Sequence, residues 1–251
     1  FLFDAADSTV IDHDYGLRWL GGVRVHDIAR TTAGETWASV GARLTRVERT
    51  ASGFDVLKLR AQDGPPDLEA RTLGTDDEGH LWMGSSGIGL ARFSGYSWMR
   101  FGMTSGNATG LVSSVSRDND GVYWFGTGSG VARHVPGPGR GEWSRFTLDE
   151  GLPSNRVMTV GQDSSGSHWI GTTQGLVRYE DGIFRNYTEM DLGFPVNVSA
   201  FHVDRSGNVW AGVRTGRILR RDRKSGEWSH RYLDRGSVVT DVLEDASGNL
   251  R

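Results

Sequence analysis

The chain of 251 residues contains no cysteine and only six prolines, and it has no long apolar run. The absence of cysteine excludes disulfides and thiolate metal sites, and it leaves the redox compartment open. No apolar stretch approaches the ~18 residues that a membrane-spanning helix needs. The formal net charge of −3 gives no electrostatic reason to expect a nucleic acid or an anionic membrane as a partner.

Common catalytic patterns are also missing from the sequence. There is no cysteine nucleophile, no G-x-S-x-G elbow and no H-E-x-x-H zinc motif. Seven histidines are scattered along the chain without ligand-like spacing. His80 and His168 follow the glycine of a turn, so we expect exposed residues at strand entries rather than metal ligands. No catalytic residue, metal site or cofactor is predicted, and the chain itself is not expected to be an enzyme.

Glycine and tryptophan are abundant, with 36 and nine residues, and both recur at fixed positions. The most regular segment is Asp163–Arg178, DSSGSHWIGTTQGLVR. Similar segments begin at Thr31, Asp76, Asp118 and Asp204, and their tryptophans are spaced 45, 42, 45 and 41 residues apart. These tryptophans are Trp37, Trp82, Trp124, Trp169 and Trp210. Such a period indicates a repeat architecture whose units bury their faces against one another.

Each repeat predicts four short strands separated by turns. A D-x-x-G turn precedes the tryptophan strand. The Asp is expected to accept a hydrogen bond from the N–H group two residues on, and the Gly to supply a positive φ. The first unit has Thr31 and Ser39 in place of Asp and Gly, so it is expected to be the least regular. Eight of the nine tryptophans, all but Trp19, occupy repeat positions and are expected to form core rather than a ligand platform.

The predicted fold class is therefore all-β, a β-propeller of four-stranded blades treated as one domain over residues 1–251. Five whole blades are expected at about residues 25–60, 70–101, 112–147, 157–188 and 198–233. Residues 1–14 match the last two strands of a unit, and residues 238–251 match the first strand and turn of another. A blade shared by these ends would lack its tryptophan strand. We therefore favour an excerpt of a seven-bladed or longer array over a closed six-bladed ring.

The run Gly151–Asn155 (GLPSN), followed by V-x-x-V and D-x-x-G-x-x-W-x-G-T-x-x-G-L-x-R, resembles the two-component regulator propeller repeat. Departures are Thr31 and Ser39, an extra residue in Gly84–Gly89, and Val213 in place of Thr. The resemblance implies a sensor region of a bacterial hybrid histidine kinase or related protein, placed in the periplasm or otherwise outside the cytoplasmic membrane. It also implies a small-molecule or oligosaccharide ligand, neighbouring propeller and signalling domains, a homodimeric parent, and a histidine kinase or diguanylate cyclase as output.

In a propeller, the expected binding surface is the end of the channel where two sets of loops meet. One set joins consecutive blades, and the other joins the second and third strands of a blade. The predicted ligand-binding residues of these loops are Asn107, Asn155, Arg156, Gln174, Asn197 and Arg214. Amides and Arg suit the hydroxyl and carboxylate groups of an acidic sugar. The alternative is that these loops are polar only because they are exposed.

His202 completes the predicted ligand-binding set because it replaces a small residue on an innermost strand, where it could face the channel. The alternative is a hydrogen-bonded local variant. Two other functions stay open for the whole chain. A polysaccharide lyase or glycoside hydrolase would need acid and base residues facing the channel, and an interaction scaffold would bind a protein without a small ligand.

Overall fold

A computed structural model describes residues 2–4, 9–11, 25–41, 43–50, 53–58, 70–76, 78–87, 89–95, 98–101, 111–137, 141–233, 238–245 and 247–250. Two short strands at the start, β1 (Leu2–Asp4) and β2 (Thr9–Ile11), pair antiparallel. Five four-stranded antiparallel sheets follow, one for each repeat, so the predicted all-β propeller class is confirmed. In the described part of the chain, no helix has the length and apolar character needed to span a membrane.

The strands of each sheet pair in the order in which they occur along the chain. Unit one contains β3 (Val25–Arg30), β4 (Thr36–Val40), β5 (Arg43–Thr50) and β6 (Gly53–Lys58). Unit two contains β7 (Ala70–Thr75), β8 (Leu81–Ser85), β9 (Leu90–Phe93) and β10 (Trp98–Phe101). Unit three contains β11 (Val112–Arg117), β12 (Tyr123–Thr127), β13 (Gly130–Val135) and β14 (Glu142–Phe146).

The last two sheets are separated by a loop with a short helix. Unit four contains β15 (Val157–Gln162), β16 (His168–Thr172), β17 (Gly175–Glu180) and β18 (Ile183–Tyr187). Unit five contains β19 (Val198–Val203), β20 (Val209–Val213), β21 (Arg217–Arg221) and β22 (Trp228–Tyr232). A 3-10 turn, Leu148–Glu150, precedes unit four, and the four-residue helix α1 (Glu189–Leu192) precedes unit five.

The turn between the first and second strands is held by its Asp and Gly, as the sequence predicts. In unit four the Asp163 carboxylate accepts the Ser165 N–H at 2.8 Å, and Gly166 has a φ of +91°. The same carboxylate also accepts the Ser167 N–H at 3.1 Å and the Trp169 indole N–H at 2.8 Å. The turn and the core tryptophan are therefore fixed by one side chain.

This Asp–Trp hydrogen bond recurs in three further units. The carboxylate-to-indole distances are 3.0 Å for Asp76 and Trp82, and 2.8 Å for both Asp118–Trp124 and Asp204–Trp210. Unit one lacks the Asp, and two side chains share its two roles. The Thr31 hydroxyl accepts the N–H of Glu35 at 3.1 Å, and the Glu35 carboxylate accepts the Trp37 indole N–H at 3.4 Å.

The sheets pack face to face, and the first strand of each unit lies against the first strand of the next. Trp37, Trp82, Trp124 and Trp169 are buried, at 2%, 0%, 3% and 0% exposure, which confirms their predicted core role. Trp169, for example, packs with Val209 and Ala211 of the next sheet. Trp98, Trp143 and Trp228 pack at the edges of these clusters, whereas Trp19 lies outside the described residues.

A sixth unit begins after β22. Its turn forms as in the others, because the Asp245 carboxylate accepts the Asn249 N–H at 2.9 Å and Gly248 has a φ of +82°. The Ser199 hydroxyl donates a hydrogen bond to the Val239 carbonyl and so joins units five and six. Trp210 is only partly buried and lines a cavity of about 410 Å³ between unit five and residues 239–250. The number of blades in the complete propeller stays a prediction.

Candidate functional site

In units three to five, the residues just before the first strand lie beside the turn between the second and third strands. Backbone hydrogen bonds join the two sets directly. The Thr173 N–H donates to the Arg156 carbonyl at 3.1 Å, and the Arg214 N–H donates to the Asn197 carbonyl at 2.9 Å. We call this end of units three to five the loop face. It contains every described residue of the predicted site except His202.

In unit four, the three predicted residues have different roles on the loop face. The Asn155 side-chain oxygen accepts the Leu148 N–H at 2.8 Å, so that oxygen fixes the preceding loop. Arg156 and Gln174 are exposed, and only their backbone atoms have hydrogen bonds among the described residues. Arg156 and Gln174 are therefore open to solvent and available to a ligand.

In unit five, Asn197 and Arg214 lie side by side on the loop face. Arg214 is exposed, and no acidic side chain of the described residues pairs with it. The Asn197 side-chain oxygen is buried and has no hydrogen-bond partner in the described part of the chain. An unpaired buried acceptor is unusual in a folded protein. The Asn197 oxygen thus differs from the Asn155 oxygen of unit four, which has a hydrogen-bond partner within its own loop.

Both loops are positioned by a short helical turn followed by an apolar anchor. The Glu150 carboxylate accepts the Thr147 N–H at 2.6 Å, and the Asp191 carboxylate accepts the Thr188 N–H at 2.7 Å. This reciprocal capping satisfies backbone donors at the start of each turn. The side chains that follow, Leu152 and Phe194, are buried at 3% and 6% exposure. The loops are therefore pinned to the sheets rather than free.

The structure adds one residue that the sequence reasoning missed. The guanidinium of Arg217 lies between two aromatic rings, 4.6 Å from the centre of Phe194 and 4.9 Å from the centre of Tyr232. Arg217 begins β21 and pairs with Val213, the residue that departs from Thr in the repeat. The turn between Val213 and Arg217 is also one residue longer than the corresponding turn of unit four. These two departures were the available signals, but neither predicts the position of Phe194.

Other polar residues of the loop face are committed to the turns. The Thr127 hydroxyl donates to the Gly130 carbonyl at 2.7 Å, and the Thr172 hydroxyl donates to the Gly175 carbonyl at 2.9 Å. Both threonines are buried, at 2% and 0% exposure, so they stabilise hairpins rather than face a ligand. Asn107, the remaining predicted residue, lies outside the described residues.

His202 lies toward the opposite end of the sheet from the other predicted residues. It pairs with Trp210, whereas Val198 at the loop face pairs with Val213. His202 lies four positions after Val198, or about 13 Å along the strand. The His202 Nε2 atom lies 3.9 Å from a carboxylate oxygen of Glu244, beyond hydrogen-bond distance. The structure therefore does not bring His202 together with the loop-face set.

The expectation that His80 and His168 are exposed is wrong, because both side chains lie against the carboxylate of a turn Asp. Their side chains are only 16% and 15% exposed. The His168 Nε2 atom lies 3.0 Å from a carboxylate oxygen of Asp118, and its ring centre is 4.0 Å from that of Trp124. His168 thus lies at a contact between units three and four, whereas His80 contacts the Asp76 and Glu78 carboxylates of its own turn.

His80 also belongs to a group with Asp76 and Glu78 whose potential ligand atoms lie within 4.8 Å of one another. The Asp76 carboxylate is already used by the turn. One oxygen accepts the His80 N–H at 2.7 Å, and the other accepts the Trp82 indole at 3.0 Å and lies 2.9 Å from the His80 ring. The group is explained by the repeat turn without a metal ion.

One partly buried acid joins the first strands of units one and two. The Asp27 carboxylate accepts the Leu73 N–H at 2.7 Å and the Thr72 hydroxyl at 3.0 Å. Burial raises the pKa of Asp27, and nearby Asp241 adds to this, although the hydrogen bonds oppose it. These contacts link neighbouring units, so Asp27 acts as a structural bridge.

Comparison with a known family agrees with this repeat geometry. Residues 151–174 match the family model described as the two component regulator propeller. The chain carries a two component regulator propeller repeat. The matched segment includes the loop residues Asn155 and Arg156 and ends at Gln174 on the loop face. No match was found among curated protein sequences.

Several solved structures share the propeller fold of this chain. One extracellular domain of a hybrid two component system from B. thetaiotaomicron has a TM-score of 0.76 at 15% identity, covering 91% of this chain and 30% of that one. A second such domain from B. thetaiotaomicron has a TM-score of 0.72 at 22% identity, covering 88% and 31%. The chain thus spans about three tenths of the length of these two domains.

An enzyme shares the fold as well. A catalytically inactive virginiamycin B lyase from Staphylococcus aureus, solved with quinupristin, has a TM-score of 0.70 at 13% identity. The match covers 91% of this chain and 76% of the lyase. At these identities the likeness is one of fold, so function has to be argued from the site.

Proposed function

We propose that the chain is the ligand-sensing, extracytoplasmic propeller domain of a bacterial two-component or related signal-transduction protein. The observation that carries the proposal is the repeat match at residues 151–174, on a fold shared with extracellular domains of hybrid two component systems. In this proposal the chain itself is not catalytic, and the output is a histidine kinase or diguanylate cyclase elsewhere in a homodimeric, membrane-anchored parent.

The proposed ligand is a small molecule or an oligosaccharide that binds the loop face of units four and five. Arg156, Gln174 and Arg214 are exposed there on loops whose backbones are fixed by hydrogen bonds. Rigid loops with open polar groups favour binding, because little conformational entropy is lost when the ligand docks. The Asn155 side chain and the Asn197 backbone carbonyl hold these loops in place, and Asn107 stays a predicted member of the site.

Signalling would follow if the ligand binds one arrangement of the dimer more tightly than another. A ligand shifts a two-state equilibrium only by its difference in affinity for the two states. Neighbouring propeller and signalling domains of the parent would carry that shift to the output. The loop face is the surface from which the change would start.

The test compares two arginine variants, one at the loop face of unit four and one at the opposite end of unit five. Arg156→Ala removes a loop-face side chain, whereas Arg205→Ala removes an exposed Arg in the turn at the other end of unit five. Oligosaccharides that raise the melting temperature of the chain are titrated into both variants. Loss of one charged hydrogen bond is expected to weaken binding about tenfold in Arg156→Ala. Binding in Arg205→Ala should match the unmodified chain.

Equal weakening in both variants, or none in either, would rule out the loop face as the site. The signalling half of the proposal is tested separately in the parent protein, with a reporter of its output. Arg156→Ala should shift the response to higher ligand concentration. An unchanged response would contradict the proposed sensing role.

A lyase is the second candidate, and the fold shared with virginiamycin B lyase favours it over other enzymes. It would require proton-transferring groups at the loop face. The polar side chains of the predicted site there are amides and Arg, neither of which is a usual general base. Incubation of the chain with polysaccharides, followed by detection of unsaturated products, separates the two candidates. Turnover by the chain would overturn the sensor proposal.

A further inference from the structure

Positive charge is concentrated in unit five. Residues 198–233 contain eight Arg and Lys against three Asp and Glu, a net charge of +5 in a chain whose total is −3. The remainder of the chain therefore carries −8. Charge segregated in this way attracts an anion to one part of a surface, because the local potential adds to each individual contact.

The turn at the loop face of unit five is also built differently from its counterparts. In units three and four a buried Thr closes the hairpin, but in unit five Val213 takes that place. The turn instead closes through hydrogen bonds from the Gly216 N–H to the Val213 carbonyl at 3.1 Å and from the Leu233 N–H to the Gly216 carbonyl at 2.8 Å. This longer turn carries Arg214 at its tip and Arg217 at its base.

Arg217 is held in a fixed orientation with its polar edge open. Phe194 and Tyr232 lie close to its guanidinium, at 4.6 Å and 4.9 Å. Its one hydrogen bond among the described residues is a long one, 3.4 Å from Nη1 to the Thr215 hydroxyl. Its other guanidinium nitrogens have no hydrogen-bond partner among the described residues and are not fully buried.

Two other arginines of these units form ion pairs within the protein. Arg220 pairs with Asp222 at 3.0 Å, and Arg178 pairs with Glu180 at 3.1 Å. Among the residues that the structure describes, no carboxylate lies within ion-pair distance of Arg214 or Arg217. A planar guanidinium held by aromatic rings and lacking an acidic partner is suited to bind a carboxylate through two parallel hydrogen bonds.

We propose that the loop face of unit five is a carboxylate-binding site, in which Arg217 forms the paired hydrogen bonds and Arg214 adds charge at the rim. This inference rests on the proposed function, since it names the chemical class of the ligand. The ligand is a hydroxylated carboxylic acid such as a uronic acid. Phe194 and Tyr232 orient the guanidinium and do not contact the anion.

The test observes the guanidinium directly. The probe is D-glucuronate, titrated into the ¹⁵N-labelled chain while the Arg Nε–Hε signals are recorded, with D-glucose as the neutral match and sodium sulfate as a second anion. Glucuronate is expected to move the Arg217 signal saturably, and glucose should leave it unchanged. Sulfate can also form paired hydrogen bonds with a guanidinium. At equal ionic strength it should still move the signal less, because it lacks the sugar hydroxyls that the neighbouring polar groups of the loop face can bind.

Three variants support the assignment. Arg217→Lys keeps the charge but loses the planar fork, and it should weaken glucuronate binding about tenfold. Arg214→Gln, at the exposed tip, should weaken it about threefold. Arg145→Lys is the matched control, because Arg145 is an exposed loop-face Arg whose Nε and Nη2 already donate to the Ser129 carbonyl. It should bind glucuronate unchanged.

Full affinity in both Arg217→Lys and Arg214→Gln, or equal shifts with glucose or sulfate, would overturn the carboxylate site. If Arg217→Lys unfolds, the Arg214→Gln titration and the Arg217 signal of the unmodified chain still decide the question.

Failure of this inference can be distinguished from failure of the proposed function. A neutral oligosaccharide that binds at Arg156 without moving Arg217 would sink this inference and leave the sensor proposal standing. Glucuronate that binds at Arg217 but causes no response in the parent would support this inference and contradict the sensor proposal.

Discussion

In units two to five, one carboxylate in the turn accepts hydrogen bonds from the backbone at the start of the second strand and from the indole of the core tryptophan. Burial would raise the pKa of Asp163, but hydrogen bonds from Ser165, Trp169 and Ser167 outweigh it and lower the pKa below 3.8. The pKa values of Asp118 and Asp204 are lowered for the same kind of reason. A folded-state pKa below the unfolded value means that the ionised form stabilises the fold.

Replacing Asp163 by Asn should therefore destabilise the chain by about 2 kcal/mol at pH 7, because one oxygen becomes a donor facing other donors. The stabilising contribution is present above about pH 4 and is lost as the pH falls through the lowered pKa. The difference from the unmodified chain should thus shrink below that pH in urea titrations. Asp181→Asn, in an exposed turn with a φ of +49°, is the control and should be neutral. A pH-independent difference would contradict the assignment.

His168 should give a second pH effect in a different range. Burial lowers the pKa of His168 below 6.5, although its hydrogen bond with Asp118 opposes this. The unfolded chain binds the proton more readily, so stability should fall as the pH drops below about 6.5. His168→Gln should remove this slope between pH 7 and pH 5 in thermal melts. His230→Gln, at an exposed position on β22, is the control and should keep the slope. A slope retained in His168→Gln would show that His168 does not cause the pH dependence.

At the scale of strands, close approach between units depends on glycines in the second strand. A Cβ atom at Gly171 would lie 2.6 Å from a methyl group of Thr159 and 2.6 Å from one of Val198, the latter on the next unit. Both neighbours are branched near the backbone and cannot swing away. The glycine that follows the tryptophan by two positions is therefore a packing requirement rather than a turn residue.

Gly171→Ala should destabilise the chain by about 2 kcal/mol, within the range observed for overpacked cores. The measurement is the midpoint of urea unfolding. Gly87→Ala is the control, since a Cβ there meets nothing within 4 Å. If the two variants unfold at the same midpoint, the sheets are less tightly packed at Gly171 than the distances indicate.

The strands and the loops differ in how far the sequence predicts them. Trp169, Asp163 and Gly166 each occupy a fixed place in a repeat, so their roles follow from the period and from turn chemistry. His168 was misassigned because the period gives its place on the strand but not the neighbour across the interface, Asp118. Arg217 was missed because its orientation depends on Phe194, a loop residue whose position no local pattern specifies.

At the scale of the molecule, the two ends of the sheets carry different side chains. The loop face carries Arg156, Gln174 and Arg214, and His202 lies toward the other end. His202→Ala should therefore leave ligand affinity at the loop face unchanged, whereas Arg156→Ala weakens it. Isothermal titration with the same oligosaccharide measures both. A weakened His202→Ala variant would show that the channel, and not the loop face alone, contributes to binding.

The hydrogen-bonded indole N–H groups can also report on the local opening of individual units. In Trp82, Trp124, Trp169 and Trp210 the indole N–H is held by a carboxylate of the same unit at 2.8 to 3.0 Å. Each such proton can exchange with deuterated solvent only when its own turn opens. Four resolved indole signals would therefore time the opening of four units separately. Equal rates would mark one cooperative body, and graded rates would show in which direction the array comes apart.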